Sequence, residues 1–181
     1  MEESEVFATK MKILILYATH GGVTKTCAEM LAQQLRVRYE VDVFHVLEES
    51  PAPSEYDVVV LGSNVRFGRI HKGIKQYIKQ FGDTLSQMPS AFYLCCGYPR
   101  NFPDYIETQV SKYLSCSLGS YCFGGELKPQ KVTGFDRLIV WLLRNSIRTQ
   151  DFEESDADHH DLPEIIPEHI TLLEKEIRRI S

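Results

Sequence analysis

The sequence predicts a doubly wound α/β fold, in which five parallel strands form one sheet with helices on both faces. Two observations support this class. Five short apolar segments recur along the 181-residue chain, and the segments between them repeat apolar residues every three or four positions, as amphipathic helices do. Strands that are apolar on both sides are typical of a parallel sheet covered on both faces.

The strands are predicted at 12–18, 39–47, 56–63, 90–97 and 120–127. KILILYA and YDVVVLGS are continuous apolar runs, whereas YEVDVFHVL alternates, which indicates a less buried strand. Helices are predicted from Thr24 to about Arg38, and over 72–81, about 103–115, 134–147 and 163–180. Ligands of such sheets bind at the carboxyl ends of the strands. Four loops lie there: 18–24, 62–71, 96–103 and 125–133.

Composition limits the class of function. We expect a single domain over residues 11–181, preceded by a polar extension at 1–10. The formal net charge is −5, and the segment DFEESDADHHD at 151–161 holds six of the acids and no Lys or Arg, which argues against nucleic-acid binding. No apolar run approaches the roughly 20 residues of a membrane span. Five cysteines without metal-binding spacing, and no secretory signal, predict a cytoplasmic protein.

The turn THGGVT at 19–24, between the first strand and the first helix, carries the clearest local signal. Unpaired backbone amides and the helix dipole favour an anion at a helix start, and a phosphate fits best. Thr19 and Thr24 offer hydroxyls, while Gly21 and Gly22 allow a close approach of the backbone. The turn lacks the Lys of a GxxxxGK[ST] loop and is not GxGxxG. A plain turn with an N-cap is the alternative interpretation.

THGGVT resembles the phosphate-binding loop of flavodoxins, with His20 and Gly21 in place of the middle hydroxyl residues. Three further stretches are SNVRFGRIHKGIKQYI at 63–78, MPSAFYL at 88–94, and GGEL followed by GFDRLIVWLL at 134–143. Together they resemble the menaquinone-dependent protoporphyrinogen oxidase family of flavodoxin-like proteins. The resemblance extends over essentially the whole chain from Met11.

This resemblance implies a flavodoxin-like fold that binds FMN noncovalently, with the phosphate in the 19–24 loop and the isoalloxazine ring between the 63–68 and 96–102 loops. Polar contacts to a ring edge are expected from Ser63 and Asn64, and flat faces for stacking from Phe67 and Tyr98, although loop packing also explains such aromatics. The expected cofactor contacts are Thr19, His20, Gly21, Gly22, Val23, Thr24, Ser63, Asn64, Val65, Arg66, Phe67, Gly68, Cys96, Gly97, Tyr98 and Asn101.

The family's reaction implies an oxidoreductase of heme biosynthesis that oxidises protoporphyrinogen IX stepwise and passes electrons to a quinone. The alternative is a flavodoxin-type carrier, which moves electrons between redox proteins without a small-molecule substrate of its own. Carriers are usually acidic around the flavin edge, whereas Arg66, Arg69 and Lys72 make this edge positive. No residue pattern identifies a catalytic acid or base.

Arg66, Arg69 and Lys72 begin a basic stretch that continues through Lys75 and Lys79. It can contact porphyrin propionates, an acidic redox partner or lipid head groups at the inner face of the cell membrane, although a solvated helix face is the commoner explanation. The apolar helix RLIVWLLRN at 137–145 suits either a docking face or a buried helix.

Three other features have a structural and a chemical interpretation. Cys95 and Cys96 can act in redox transfer, but strand geometry predicts that at least one of them is buried and inert. His71 can move a proton or make a hydrogen bond at a helix N-terminus. SDADHHD at 155–161 contains possible metal ligands, but a flexible acidic connector is favoured, so no metal is predicted.

Overall fold

Six strands of the described residues form one central sheet. The computed structural model describes residues 10–97, 99–125 and 164–181. The strands are β1 (Lys12–Ala18), β2 (Glu40–His45), β3 (Val58–Arg66), β4 (Arg69–Ile70), β5 (Ser90–Cys95) and β6 (Ser120–Gly124). Five of them are parallel in the order β2, β1, β3, β5, β6, and β4 pairs antiparallel with the end of β3.

Helices cover both faces of the sheet. They are α1 (Val23–Leu35), α2 (Lys72–Ser86), α3 (Phe102–Gln109) and α4 (Pro167–Arg179), with short 3-10 turns at Pro53–Glu55 and Pro99–Asn101. The helices α1 and α4 pack on one face, and α2 and α3 pack on the other. The predicted doubly wound architecture is therefore confirmed. The helix predicted at 134–147 lies outside the described residues.

The strand β1 shows why the sheet is rigid at its centre. Ile13 and Ile15 face the α1 side, Leu14 and Leu16 face the α2 side, and all four are fully buried. Alternate residues of a strand point to opposite faces, so this continuous apolar run serves two cores. Burial of each side chain contributes about 1.5–3 kcal/mol. The loops after β1 and β3 therefore begin at the ends of buried strands.

Two elements extend beyond their predicted ends. The helix α2 continues to Ser86 instead of ending at 81, and Gly82 permits this because a Cβ there would lie 2.2 Å from the backbone oxygen of Tyr113. The strand β3 continues to Arg66 and turns back through Phe67 and Gly68, whose φ values are 50° and 70°. Two consecutive residues with positive φ are typical of a tight hairpin turn.

One side chain attaches this hairpin to α3. The Gln109 side-chain oxygen accepts a hydrogen bond from the Ile70 N–H at 3.1 Å. Its amide nitrogen donates to the Gly68 carbonyl oxygen at 2.9 Å. The helix α3 ends at Gln109, rather than near 115 as predicted, and a turn follows in which the N–H groups of Val110 and Ser111 both bond the Ile106 carbonyl oxygen.

Candidate functional site

A cavity of about 200 Å³ opens at the carboxyl ends of β1, β3, β5 and β6. It lies where the strand order reverses between β1 and β3, which is the usual ligand position in a doubly wound sheet. Small-molecule pockets usually measure about 300–1,000 Å³, so the space that the described residues enclose is smaller than a typical ligand pocket. The lining residues are Thr19, Gly21, Val23, Thr24, Asn64, Val65, Cys95, Gly97 and Gly125.

The loop between β1 and α1 is shaped to receive an anion. Gly22 occupies the N-cap position with φ of 90°, and the Thr19 hydroxyl oxygen accepts a hydrogen bond from its N–H at 2.9 Å. Among the residues that the structure describes, no side chain caps α1, and its first turn contains no acidic residue. The amides of that first turn have no intrahelical acceptor because they lie at the helix start. The partial positive charge of these amides therefore lies at the end of α1 that is next to the cavity.

Thr24 is the buried polar residue of this loop. Its side chain is fully buried and lines the cavity, yet its hydroxyl oxygen has no nitrogen or oxygen partner within the described part of the chain. Burial raises the pKa of the neighbouring Cys95 thiol well above its ordinary value, and a hydrogen bond with the Thr24 hydroxyl opposes this shift. A thiol is a weak hydrogen-bond partner, and a buried hydroxyl without a strong partner costs about 1–3 kcal/mol. A phosphate oxygen in the cavity would satisfy this group, so the residues present fit such a ligand.

Ser63 and Asn64 at the end of β3 have different roles. The Ser63 hydroxyl is fully buried, donates to the Asn64 carbonyl oxygen and accepts from the His71 N–H, each at 2.9 Å. It holds the base of the hairpin, and it is not among the residues that line the cavity. Asn64 lines the cavity, and its buried side-chain oxygen lacks a partner among the residues that the structure describes.

The hairpin tip presents Phe67 to solvent. This side chain is 89% exposed, and the Arg66 guanidinium carbon lies 5.2 Å from its ring centroid. Loop packing does not explain the aromatic residue, because the ring is not buried against the protein. Arg66 and Gly68 are exposed as well. The tip therefore offers a flat apolar face beside the cavity edge.

The loop after β5 differs in part from the prediction. Gly97 lines the cavity, but the cysteine that lines it is Cys95 rather than Cys96. An irregularity in strand pairing falls between Leu94 and Cys95, and the Cys96 sulfur faces the opposite core, 3.7 Å from the Cys122 sulfur. Both adjacent cysteines are buried, and no disulfide joins the five cysteines, all of which lie among the described residues.

The remaining predicted contacts of this loop lie at its edge or outside the described residues. Asn101 is exposed and precedes α3 without capping it. Tyr98 lies outside the described residues. Gly125 lines the cavity, although the site prediction omits it. The position of Gly125 in the loop 125–133 could have indicated this contact, because that loop follows the last parallel strand and so reaches the same edge of the sheet.

His71 makes the helix-terminal hydrogen bond that the sequence allowed. Its Nδ1 accepts from the Gly73 N–H at 3.1 Å, which caps α2. Burial lowers the pKa of His71, and the nearby imidazoles of His20 and His45 lower it further. Within 10–97, 99–125 and 164–181, no group of three or more His, Cys, Asp or Glu is arranged to hold a metal. The 155–161 segment lies outside these ranges.

Comparison with known proteins defines the class. A model of the flavodoxin domain family matches residues 14–155, so the chain belongs to the flavodoxin domain family. Flavodoxin from Streptococcus pneumoniae TIGR4 has the same fold, with a TM-score of 0.54 at 13% identity over 94% of this chain and 99% of that one. A Lactobacillus acidophilus flavoprotein solved in complex with FMN gives a TM-score of 0.51 at 17% identity over 62% of this chain and 93% of that one.

Sequence relatives are more specific. The chain is 38% identical over 143 residues to the Escherichia coli K12 protein named protoporphyrinogen IX dehydrogenase [quinone], which covers 74% of this chain and 78% of that protein. A Leishmania major protein with the same name is 36% identical over 139 residues, which is 71% of this chain and 60% of that protein.

Proposed function

We propose that this chain is an FMN-dependent oxidoreductase that converts protoporphyrinogen IX to protoporphyrin IX, with a quinone as electron acceptor. Family membership and the 38% identity to the E. coli protein support this activity. The structural observation that carries the cofactor proposal is the uncapped start of α1 beside the buried Thr24 hydroxyl. Both groups are arranged for an anion at the ligand edge of the sheet.

Different residues would bind the phosphate and the ring of FMN. The first-turn amides of α1 and the Thr19 and Thr24 hydroxyls would hold the phosphate of FMN. Asn64 lines the same cavity and would contact the cofactor with its unpartnered oxygen, while Phe67 offers a face for the ring. When bound, FMN supplies the electron-accepting chemistry that side chains lack.

Charge at the hairpin supports an anionic substrate. Arg66, Arg69 and Lys72 are exposed and follow the cavity-lining Val65 in the chain, and positive charge attracts the propionates of a porphyrinogen. The same charges suit anionic lipid head groups, so we infer a peripheral contact with the membrane that holds the quinone. No described helix is long and apolar enough to cross a bilayer. Sedimentation with anionic vesicles, and not with zwitterionic ones, is expected for the parent protein and reduced for an Arg66→Gln/Arg69→Gln variant.

The cofactor site is tested by replacing Thr24 with Val, which keeps the shape and removes the hydroxyl. Hydrogen bonds to charged groups contribute about 1.5–3 kcal/mol, so the FMN dissociation constant should rise roughly 10- to 100-fold. The cofactor-free variant should be about as stable as the parent, because the buried hydroxyl that is removed has only the weakly bonding Cys95 thiol as a partner. Fluorescence quenching of FMN and urea denaturation measure the two quantities.

Thr26→Val is the matched control for this change. Thr26 is also buried in α1, but its hydroxyl already donates to the Gly22 carbonyl oxygen at 3.3 Å. This variant should lose stability and keep FMN affinity within a few-fold. Equal FMN affinity in the Thr24→Val variant and the parent would contradict the proposed phosphate position. Absence of FMN binding by the parent would remove the cofactor proposal itself.

Substrate and acceptor are tested together under anaerobic conditions. The FMN-loaded protein is mixed with protoporphyrinogen IX and a menaquinone analogue, and porphyrin fluorescence is followed. Porphyrin should form only when protein, FMN and quinone are all present. A protein that binds FMN but leaves the porphyrinogen unoxidised would instead be an electron carrier.

A further inference from the structure

Two thiols face each other near the carboxyl ends of β5 and β6. The Cys96 and Cys122 sulfur atoms lie 3.7 Å apart in the core on the α2 side of the sheet, and both side chains are buried. The backbone holds the pair in place, because the Cys96 N–H donates to the Gly124 carbonyl oxygen at 3.0 Å. The sulfurs of a disulfide are about 2.05 Å apart, so these two atoms must approach by about 1.7 Å to form one.

Cys122 lies among groups that favour a thiolate. A hydrogen bond from the Cys96 thiol lowers the pKa of Cys122 to about 6, the Gly124 backbone and the His169 imidazole act in the same direction, and burial opposes them. The His169 Nδ1 lies 2.6 Å from the Cys122 carbonyl oxygen, which can only accept, so Nδ1 carries a proton and donates it. The helix α4 thus fixes this imidazole beside Cys122. A thiolate is the form of cysteine that attacks an oxidant.

A second thiol pair on the other face of the sheet provides a comparison. The Cys27 and Cys95 sulfurs are also 3.7 Å apart, and they belong to the core beneath α1. Burial raises the pKa of the Cys95 thiol well above its ordinary value, so this thiol stays protonated. Cys27 is fully buried, whereas Cys122 is 8% exposed. Because the two pairs have the same sulfur separation, protonation and exposure decide which of them reacts.

We propose that Cys96 and Cys122 are a site of reversible oxidation, at which hydrogen peroxide converts the two thiols to an intramolecular disulfide. The Cys122 thiolate attacks the O–O bond and becomes a sulfenic acid, and the hydroxide that leaves takes a proton to form water. The Cys96 sulfur then attacks the Cys122 sulfur, the S–O bond breaks, and a second water leaves with the Cys96 proton. Two electrons pass from the sulfurs to one peroxide, and a dithiol reductant returns them.

The disulfide would link two chain segments that reach the cavity. Gly97 follows Cys96 directly, Gly125 lies shortly after Cys122, and both glycines line the cavity. Oxidation would therefore restrain the ligand edge of the sheet where β5 and β6 end. No step of this oxidation involves FMN. The cofactor proposal, which the Thr24→Val titration tests, can therefore fail without affecting the oxidation, and the reverse also holds.

Thiol counting tests the oxidation in the full chain. The protein is reduced, freed of reductant, treated with a small excess of hydrogen peroxide, and alkylated after denaturation. Two of the five thiols should become unreactive, the monomer mass should fall by two hydrogens, and dithiothreitol should restore both thiols. An unchanged thiol count, or a gain of oxygen without loss of hydrogen, would overturn the proposal.

Tryptic digestion of the oxidised parent identifies the linked pair. Cys95 and Cys96 fall in the peptide 80–100, Cys122 in 113–131, and Cys27 in a third peptide at 26–36. A link between the first two peptides is expected, and fragmentation of the linked product should assign it to Cys96 and Cys122. A link to the peptide that contains Cys27 would refute the choice of pair. This mapping needs no substitution, so it does not depend on the folding of a variant.

Two variants complete the test. Cys122→Ser should abolish the link between the two peptides. Cys116→Ser is the matched control, because Cys116 lies in the same tryptic peptide as Cys122 and burial raises its pKa to about 12. This control should form the link as the parent does. A link that persists without Cys122, or disappears without Cys116, would contradict the assigned pair.

Discussion

The loss of one hydroxyl beneath the phosphate loop should measurably weaken the fold. Tyr93 is fully buried, and its hydroxyl donates to the Thr24 carbonyl oxygen at 2.9 Å, which joins β5 to the first turn of α1. Tyr93→Phe removes this bond and leaves the ring stacked on Phe123 at 4.5 Å between centroids. A hydrogen bond contributes about 0.5–1.5 kcal/mol, and complete burial favours the upper value. A loss of about 1.5 kcal/mol lowers Tm by roughly 3–6 °C in a domain of this size.

Urea denaturation of the cofactor-free protein measures this loss, and Tyr121→Phe is its control. The Tyr121 hydroxyl donates to the Leu118 carbonyl oxygen at 2.7 Å but is only half-buried, so its removal should cost about 0.5 kcal/mol. FMN affinity should fall in the Tyr93→Phe variant alone, because Thr24 lies in the phosphate loop. Equal losses of stability in the two variants would refute the view that the buried bond anchors this loop.

Two further changes have calculable outcomes. Gly62→Ala should lower the free energy of unfolding in urea by about 1–3 kcal/mol through overpacking, because a Cβ there would lie 2.1 Å from the Tyr93 ring. Gly21→Ala should cost far less, because no described atom lies within 4 Å of a Cβ at that position. Similar losses of stability in the two variants would contradict the clash. His71 has a pKa below its ordinary 6.5, so its stabilising effect is complete above that pH and is lost as the pH falls through the lowered value. His71→Asn, which retains a cap for Gly73, should flatten the fall in urea midpoint between pH 7.5 and 5.5, and an unchanged pH profile would show that another group titrates.

The sheet was predictable because its central strands have a strong and simple pattern. The first strand was predicted at 12–18 and is found at Lys12–Ala18, since the ends of its continuous apolar run mark the ends of the strand. The last helix begins at Pro167, later than the predicted 163, because proline occupies its first turn. Local periodicity does not reveal contacts such as the one between Gly82 and Tyr113, which decide where a helix continues.

The sequence predicted which loops form the candidate site, but not which of their side chains point into the cavity. The 19–24 loop, Asn64, Val65 and Gly97 reach the cavity because loops after parallel strands share one edge. Cys95, and not the predicted Cys96, lines the cavity because the pairing between β5 and β6 is irregular at this point. The sequence pattern of one strand does not show such an irregularity. The contacts of His71 with His20 and His45 were equally hidden, because the three residues are separated in sequence and meet only through strand order.

The Gln109 side chain gives the ligand edge a mechanical property. It bonds both the turn and the returning strand of the β3–β4 hairpin, and it ends the helix that follows the 99–101 turn. One side chain therefore links the hairpin that carries Phe67 to the end of α3 through two hydrogen bonds. A displacement of the hairpin must either break both bonds or move the end of α3 with it.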